Sequence, residues 1–315
     1  MSRIVITEFM DERAVATLRA RHEVLYDPKL VDDAPRLARE AAACEAFVVR
    51  NRTQVRGELL KALLAGKRCK VVGRLGVGLD NIDVAACEAA GLQVIPATGA
   101  NALSVAEYVI GTAMLLLRGA YQSTASVAAG QWPRTPLSNG REIGGKTLGL
   151  VGFGSIGQLT AKLARGVGMN VAAFDAMMDE DHPAFAQAGA RCASLDEVLT
   201  ICDVISLHVP LVDSTRGLLG AERIGAMKKG AVLINTARGG IVDEVAVAAA
   251  LKRGHLGGAA LDVFDTEPLP AAAHFEGCPN LVLTPHIAGV TAEANQRVSF
   301  LIAEKVAAVL AGVAR

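Results

Sequence analysis

Three residues in the carboxyl-terminal half carry the groups needed to move a proton beside a bound anion. Arg238 stands in Asn235-Thr236-Ala237-Arg238-Gly239-Gly240, Glu267 in Asp265-Thr266-Glu267-Pro268, and His286 in Thr284-Pro285-His286-Ile287-Ala288-Gly289. Each segment follows a short apolar run that reads as a strand, and open α/β sheets gather ligands outside the carboxyl ends of their strands. A guanidinium forks onto a carboxylate and a neighbouring oxo oxygen. The two glycines after Arg238 bring the backbone near a ligand. An imidazole is suited to general acid/base work, and a glutamate in reach would hold it in one tautomer and stabilise the proton it carries. Pro268 disfavours helix at Glu267. His208 and Pro210 also end a strand, but where a loop would wall a cofactor, which makes His208 the weaker acid/base candidate.

Such a set is what nicotinamide chemistry needs beside its hydride carrier, and the chain has a place for one. Leu148–Val151 is an apolar run that ends in Gly152-Phe153-Gly154-Ser155-Ile156-Gly157, the spacing G-x-G-x-x-G. A helix-compatible segment follows from Gln158 to Gly168, then a second apolar run, Asn170 to Phe174, and an acid, Asp175. Gly152 permits a tight turn, Gly154 lets the backbone approach a pyrophosphate, and Gly157 lets the helix pack close to the strand. The helix N-terminus offers unpaired N–H groups and a positive dipole end. Asp175 lies roughly 20 residues downstream, where a carboxylate accepts the ribose hydroxyls of an adenosine. Ala176, Met177 and Met178 follow it, so no cation is placed for a 2′-phosphate. NAD is therefore the expected cofactor, and NADP is disfavoured.

The elements that position these groups fall into two α/β series. Strands are expected at Ile4–Thr7, Glu23–Tyr26, Phe47–Val49, Val71–Gly73 and Gln93–Ile95, with helices near Asp11–Ala20, Ala34–Ala43, Arg56–Ala65 and Val84–Ala90. A long apolar helix runs over Ser104–Leu117, Ser104 and Glu107 matching a capping box, and its all-round apolar character predicts burial between domains or subunits. The second series has strands at Leu148–Val151, Val171–Phe174, Val204–His208, Val232–Asn235, Ala259–Val263 and Leu281–Thr284. Another capping box, Ser194–Glu197, opens a helix toward Cys202, and Ala292–Leu310 is a long amphipathic helix able to return to the first domain. The only Trp, Trp132, lies in a segment that reads as a loop reaching away from the body.

Bulk composition agrees. A chain of 315 residues exceeds one core, and half of it is hydrophobic with few aromatics, as buried parallel strands under small-residue helices require. Acids and bases balance at 32 each, which favours neither nucleic acid nor a membrane as partner. The six cysteines lack C-x-x-C or metal-type spacing, so no metal site is expected and the thiols point to a reducing, cytoplasmic setting. The amino terminus reads as a strand rather than a signal peptide.

Over nearly its whole length the chain resembles the D-isomer-specific 2-hydroxyacid dehydrogenase family. The motifs, in order, are Gly73-Arg74-Leu75-Gly76-Val77-Gly78-Leu79-Asp80-Asn81-Ile82-Asp83, the Ser104–Glu107 helix start, Gly152–Gly157, His208-Val209-Pro210-Leu211, Asn235–Asp243, Gly258–Pro268 and Pro285–Gly289. The resemblance implies an α/β protein with a flavodoxin-like substrate domain, 1–100 plus 290–315, and a doubly wound Rossmann NAD-binding domain, 101–289. It implies that Arg238 binds substrate, that Glu267 partners His286, and that His286 is the acid/base. It carries the cofactor site from Gly152, Gly154, Ser155, Ile156, Gly157 and Asp175 to His208, Pro210 and Thr215. Thr236, Ala237, Asp262 and Gly289 complete that site.

The N–H groups of Val77 and Gly78 would hold the substrate carboxylate, and a homodimer or dimer of dimers would use the Ser104 helix and the Trp132 loop. Within the family the chain looks most like the phosphoglycerate and sulfolactate dehydrogenases. Arg50, Asn51, Arg52 and Gln54 lie where those enzymes carry a substrate loop, but Asn51, the additional Arg52 and Gln54 depart from the phosphoglycerate pattern. The expected substrate is thus a three-carbon D-configured 2-hydroxyacid with a second anion held by Arg50, Arg52 or Arg74. (S)-3-Sulfolactate is the first reading, 3-phosphoglycerate the second, and an NAD-sensing corepressor-like binding protein the rival class.

Overall fold

The computed structural model describes residues 1–312; the last three positions of the expected segment 290–315 lie outside the described residues. The chain divides into two compact units, Met1–Asn101 with the segment from Val290 onward, and Ala102–Gly289.

The first unit alternates β1 (Arg3–Ile6), α1 (Glu12–Arg19), β2 (Glu23–Tyr26), α2 (Ala34–Ala43), β3 (Ala46–Val49), α3 (Gly57–Ala65), β4 (Val71–Arg74), α4 (Val84–Ala89) and β5 (Gln93–Pro96). The sheet is parallel throughout in the order β2-β1-β3-β4-β5, which is the flavodoxin-like winding. Alternation along the strands divides its core into two layers. Ile4, Ile6 and Val48 face one side, while Val5, Phe47 and Val49 face the other.

The second unit opens with α5 (Ala102–Arg118) and two short helices, α6 (Thr124–Ala128) and α7 (Arg134–Leu137). Then come β6 (Thr147–Val151), α8 (Ser155–Gly166), β7 (Asn170–Phe174), α9 (Pro183–Ala188), β8 (Arg191–Cys192), α10 (Leu195–Ile201) and β9 (Val204–Leu207). The series finishes with α11 (Ala221–Ala226), β10 (Val232–Asn235), α12 (Glu244–Lys252), β11 (Gly258–Leu261) and β12 (Leu281–Leu283). Its seven parallel strands run β12-β11-β10-β9-β6-β7-β8. The order reverses between β6 and β9, and a crevice at such a switch point is where dinucleotides bind. Strands β9, β10 and β11 are buried along their whole length, and each fully buried Leu, Ile or Val there contributes at most about 1.5–3 kcal/mol. Gly149 is needed on β6 because a Cβ there would fall 2.7 Å from Val198 and 2.8 Å from the Cys202 sulfur.

The last helix, α13 (Ala292–Leu310), lays Val298, Ile302 and Val306 on the first sheet. A Cβ at Gly73 would sit 2.9 Å from both Ile302 and Val306, so glycine lets this helix close on β4. No single described helix is long and apolar enough to cross a membrane, although α5 and the segment after it would pass on length and composition as a bent pair.

Two local expectations need correction. Helix α5 starts at Ala102, so Ser104 lies inside the first turn, buried, and the Ser104–Glu107 capping box does not form. Val109, Ile110, Ala113, Leu116 and Leu117 of α5 share a core with Leu148, Leu150 and Phe153 of its own unit. At Ser194 half of the box forms, the hydroxyl accepting from Glu197 N–H at 3.2 Å, while the Glu197 carboxylate pairs with Arg191 at 2.8 Å.

Candidate functional site

At the carboxyl end of β6 the chain turns through Gly152 with φ +97°, a conformation for which glycine is suited. A Cβ on Gly152 would lie 2.7 Å from the His208 carbonyl, so the turn and the exit of β9 are pressed together. Phe153 anchors the turn from beneath: it is fully buried and stacks on Phe185 with ring centroids 4.8 Å apart. Gly157 touches the turn itself, a Cβ there falling 2.4 Å from Gly152 O, whereas at Gly154 a Cβ would meet nothing within 4 Å. Helix α8 begins at Ser155; the N–H groups of its first turn have no acceptor within the helix and face an anion favourably.

Asp175 ends β7 with one carboxylate oxygen accepting Phe153 N–H at 2.7 Å and the other Met177 N–H at 2.9 Å. Thr236, at the end of β10, keeps a buried hydroxyl with no partner among the described residues, and a buried hydroxyl in that condition is a ready ligand contact. Open space above Gly154, the orphaned Thr236 hydroxyl and the acid at Asp175 fit a bound dinucleotide. These features assign separate roles to the glycines. Gly157→Ala should destabilise the cofactor-free protein, because its methyl meets backbone. Gly154→Ala should leave the cofactor-free melting temperature unchanged but weaken NAD binding by about tenfold or more, since only the ligand would meet its methyl. Calorimetric titration beside thermal melting checks both, and equal behaviour of the two variants would refute the division.

His208 is only partly covered, yet loss of solvation dominates its titration and burial pushes its pKa down to about 4. Its Nε2 is 3.0 Å from the Ser206 hydroxyl. It is therefore neutral at pH 7. Thr215 is turned inward, its hydroxyl donating to Pro210 O at 2.6 Å and accepting Val212 N–H at 2.9 Å, which closes the loop after β9.

The His286–Glu267 pair is assembled from two neighbouring strand ends. His286 Nδ1 lies 2.7 Å from Glu267 Oε2, the ring 47% and the carboxylate 35% exposed. Because a carboxylate accepts, Nδ1 carries the hydrogen toward Glu267 and Nε2 is left for a reacting oxygen. Glu267 is held by Phe264 N–H, which donates to its other oxygen at 3.0 Å. His286 itself sits at φ +54°; such a backbone in a residue other than glycine costs on the order of 1–3 kcal/mol unless its surroundings over-determine it. Asp262 does that. Its carbonyl accepts His286 N–H at 2.8 Å, and its buried carboxylate accepts Ile287 N–H at 2.9 Å, Ala288 N–H at 2.8 Å and the Thr284 hydroxyl at 2.6 Å. The structure thus gives the Asp262 carboxylate a use within the protein, as the brace of the His286 loop.

Arg238 is half-buried in the turn after β10. Its guanidinium donates to Ala237 O at 2.6 Å, and Asn235 bridges the turn, donating to Arg238 O at 3.0 Å and accepting Ala237 N–H at 3.0 Å. Gly239 lets the turn lie against the Glu267 loop: a Cβ there would stand 1.9 Å from Phe264 O and 2.6 Å from Asp265 N.

In the first unit the expected anion loops follow β3 and β4. Buried Glu8, just after β1, organises the first of them, accepting Arg50 N–H at 2.9 Å, Arg52 N–H at 3.0 Å and Thr53 N–H at 3.0 Å. No motif pointed to Glu8; the available signal was an acid at the carboxyl end of the first strand. Arg50 lies half-buried with its guanidinium 5.8 Å over the Phe9 ring and donating to Asn295 Oδ1 at 2.7 Å. Burial lowers its pKa, although an arginine stays charged. Arg52 instead pairs with Asp32 in solvent, the two side chains 58% and 53% exposed, and Asn51 is exposed beside it. The Arg74 guanidinium folds over Gly76, where a Cβ would fall 1.6 Å from it, and donates to Leu75 O at 3.0 Å. The N–H groups of Val77 and Gly78 take part in no hydrogen bond among the described residues.

Comparison with known proteins finds relatives over nearly the whole chain. The model of the D-isomer specific 2-hydroxyacid dehydrogenase NAD binding domain matches residues 110–288. The (S)-sulfolactate dehydrogenase of Chromohalobacter salexigens is 51% identical over 306 residues, 97% of this chain and 97% of that protein. A D-3-phosphoglycerate dehydrogenase of Archaeoglobus fulgidus is 37% identical over 304 residues, and the match spans 96% of this chain but only 56% of that protein. Among solved structures, the TT0316 protein of Thermus thermophilus superposes with a TM-score of 0.86 at 34% identity, covering 99% of this chain and 98% of that one.

Proposed function

The chain belongs to the D-isomer-specific 2-hydroxyacid dehydrogenase family, and we propose that its substrate is (S)-3-sulfolactate, oxidised to 3-sulfopyruvate. The protein is an NAD-dependent enzyme that interconverts a D-configured 2-hydroxyacid and its 2-oxoacid. In (S)-3-sulfolactate the sulfur reverses the naming priority and not the geometry, so the molecule has the spatial arrangement of a D-hydroxyacid.

In this reading Arg238 pairs with the carboxylate and the C2 oxygen of the substrate. His286 Nε2 takes the hydroxyl proton in oxidation and returns it in reduction, while Glu267 stabilises the imidazolium through Nδ1. NAD, when bound, accepts the hydride. The N–H groups of Val77 and Gly78 serve as further carboxylate donors, and the first unit is the substrate domain, the second the NAD domain. The 2.7 Å His286–Glu267 pair is the observation that carries the chemistry.

The sulfonate reading rests on the near-full-length similarity to a protein named for that activity, with Arg50 as the anion's partner. Arg50 is the arginine of its loop whose charge is desolvated and whose planar head is braced by Phe9 and Asn295. Arg50→Ala should therefore reduce kcat/KM on 3-sulfolactate by about 10²-fold and change D-glycerate or D-lactate little, since a desolvated charge contact is worth a few kcal/mol. Arg52→Ala should change either by about twofold at most, because its charge is already engaged by Asp32 in solvent. Equal losses on both substrate classes for Arg50→Ala would show that it is structural. A panel comparing 3-sulfolactate with 3-phosphoglycerate tests the substrate directly; preference for the phosphate would install the second reading, which the phosphoglycerate dehydrogenase match favours.

The protein is further read as a cytoplasmic homodimer or dimer of dimers. The exposed Tyr121, Val127 and Trp132 beside α5 form the face to be covered, Trp132 being 79% exposed. Burial of this single tryptophan should shift its fluorescence to the blue on concentration-dependent assembly; a solvent-like spectrum at high concentration would rule the face out.

A further inference from the structure

We infer that Tyr108, on α5, is a positioning residue for the His286 acid/base, acting through Thr284 and Asp262. The inference rests on the reading of His286 as the acid/base. The Tyr108 hydroxyl lies 2.7 Å from Thr284 Oγ1, and Thr284 Oγ1 lies 2.6 Å from Asp262 Oδ1. The direction of these bonds follows from elimination. Asp262 Oδ1 already accepts Ile287 N–H, as an ionised carboxylate does, and it has no hydrogen to give. Thr284 has one hydroxyl hydrogen and donates it to Asp262. The bond from Tyr108 is then one in which the phenol donates and Thr284 accepts. Burial pushes the Tyr108 pKa up, which keeps the phenol protonated for that role.

The relay ends on the loop that holds His286 in its left-handed conformation. Asp262 grips three consecutive N–H groups there, those of His286, Ile287 and Ala288, the first through its carbonyl and the others through its carboxylate. Thr284 precedes that loop by two residues and fixes the carboxylate's rotamer. Tyr108 fixes Thr284 from a different element, since α5 is anchored independently in the core with Leu148, Leu150 and Phe153. The His286 ring is largely open to solvent and has Glu267 as its side-chain partner, so the placement of Nε2 depends on the backbone that this relay braces. Hydrogen bonds in such chains also polarise one another.

The test measures kcat and KM on a simple D-2-hydroxyacid for Tyr108→Phe, Thr284→Val and Thr284→Ser. Tyr108→Phe should lower kcat about five- to tenfold with KM for NAD unchanged, as expected when a single buried hydrogen bond is lost. Thr284→Val should lower it at least as much, and Thr284→Ser, which keeps the hydroxyl, should restore it. The Tyr108→Phe/Thr284→Val double variant should be no slower than Thr284→Val alone, because the two act in one chain. A Tyr108→Phe enzyme with unchanged kcat overturns the inference. So do multiplicative effects in the double variant, a Thr284→Ser enzyme as slow as Thr284→Val, or a kcat loss matched by an equal change in KM for NAD. Should Tyr108→Phe fail to fold, the Thr284 pair decides alone. Full turnover by His286→Ala would sink the underlying acid/base reading, whereas its loss alongside an unaffected Tyr108→Phe would sink only the relay.

Discussion

Replacing His286 by alanine should lower kcat by about 10²–10⁴-fold, the range that a positioned general acid/base supplies, while KM for NAD stays near its original value. The geometry gives the reason. With Nδ1 committed to Glu267 at 2.7 Å, a single ring nitrogen addresses the substrate oxygen, and the neutral ring is held in one tautomer. Alanine removes the proton acceptor and leaves Arg238, the Gly152–Gly157 turn and Asp262 in place, so binding of cofactor should persist. Glu267→Gln should be milder, about 10–10²-fold, because the ring remains but the charge that stabilises the imidazolium is gone. Steady-state kinetics in both directions with equilibrium NAD binding separates these effects. A His286→Ala enzyme that turned over normally would remove the histidine from the mechanism.

The second large effect comes from a residue with no functional group. Gly239→Ala should cut kcat/KM by about 10²-fold or more, since a displacement of about 1 Å at a reacting centre costs that much. The added Cβ would be 1.9 Å from Phe264 O and 2.6 Å from Asp265 N, and neither is the end of a flexible side chain. The backbone must part, which moves the Arg238 turn away from the loop that bears Glu267. Its neighbour makes a useful contrast: at Gly240 the nearest atom is a carboxylate oxygen of Asp265 at 3.0 Å, with the strain arising from φ +73° instead. Kinetics with circular dichroism and melting would check the claim; a folded Gly239→Ala enzyme of ordinary activity would show the two loops to be independent.

The two sheets were legible because buried parallel strands announce themselves as short runs such as Val232–Asn235 between turn residues. The helix from Ala34 to Ala43 and the last helix were visible through periodicity. Errors arose where the deciding interaction is tertiary. Strand β8 is two residues long and exists through pairing with β7. Ser104 looks like a cap by local spacing, but the helix extends two residues further back because Ala102, Val105 and Ala106 gain burial. In the candidate site the groups with distinctive chemistry, Arg238, Glu267 and His286, could be named from motifs. Glu8, Phe153, Tyr108, Thr284 and Asn295 could not, since each is ordinary until the fold brings a partner from far along the chain. The loop arginines show the same limit. Nothing in Arg50-Asn51-Arg52 foretells that one guanidinium meets Asn295 and the other Asp32.

Asp175 bears on how readily the coenzyme preference of this protein can be redesigned. Its carboxylate is both the group that would repel a 2′-phosphate and the clasp on Phe153 N–H and Met177 N–H. A substitution meant only to welcome NADP would also release the turn that carries the pyrophosphate glycines. A successful exchange would need a second change that re-ties Phe153 N–H, for example a side-chain acceptor retained at position 175 with the cation introduced at Ala176 or Met177. Selection for NADP use should therefore find paired rather than single substitutions here, and NAD dependence is correspondingly resistant to drift.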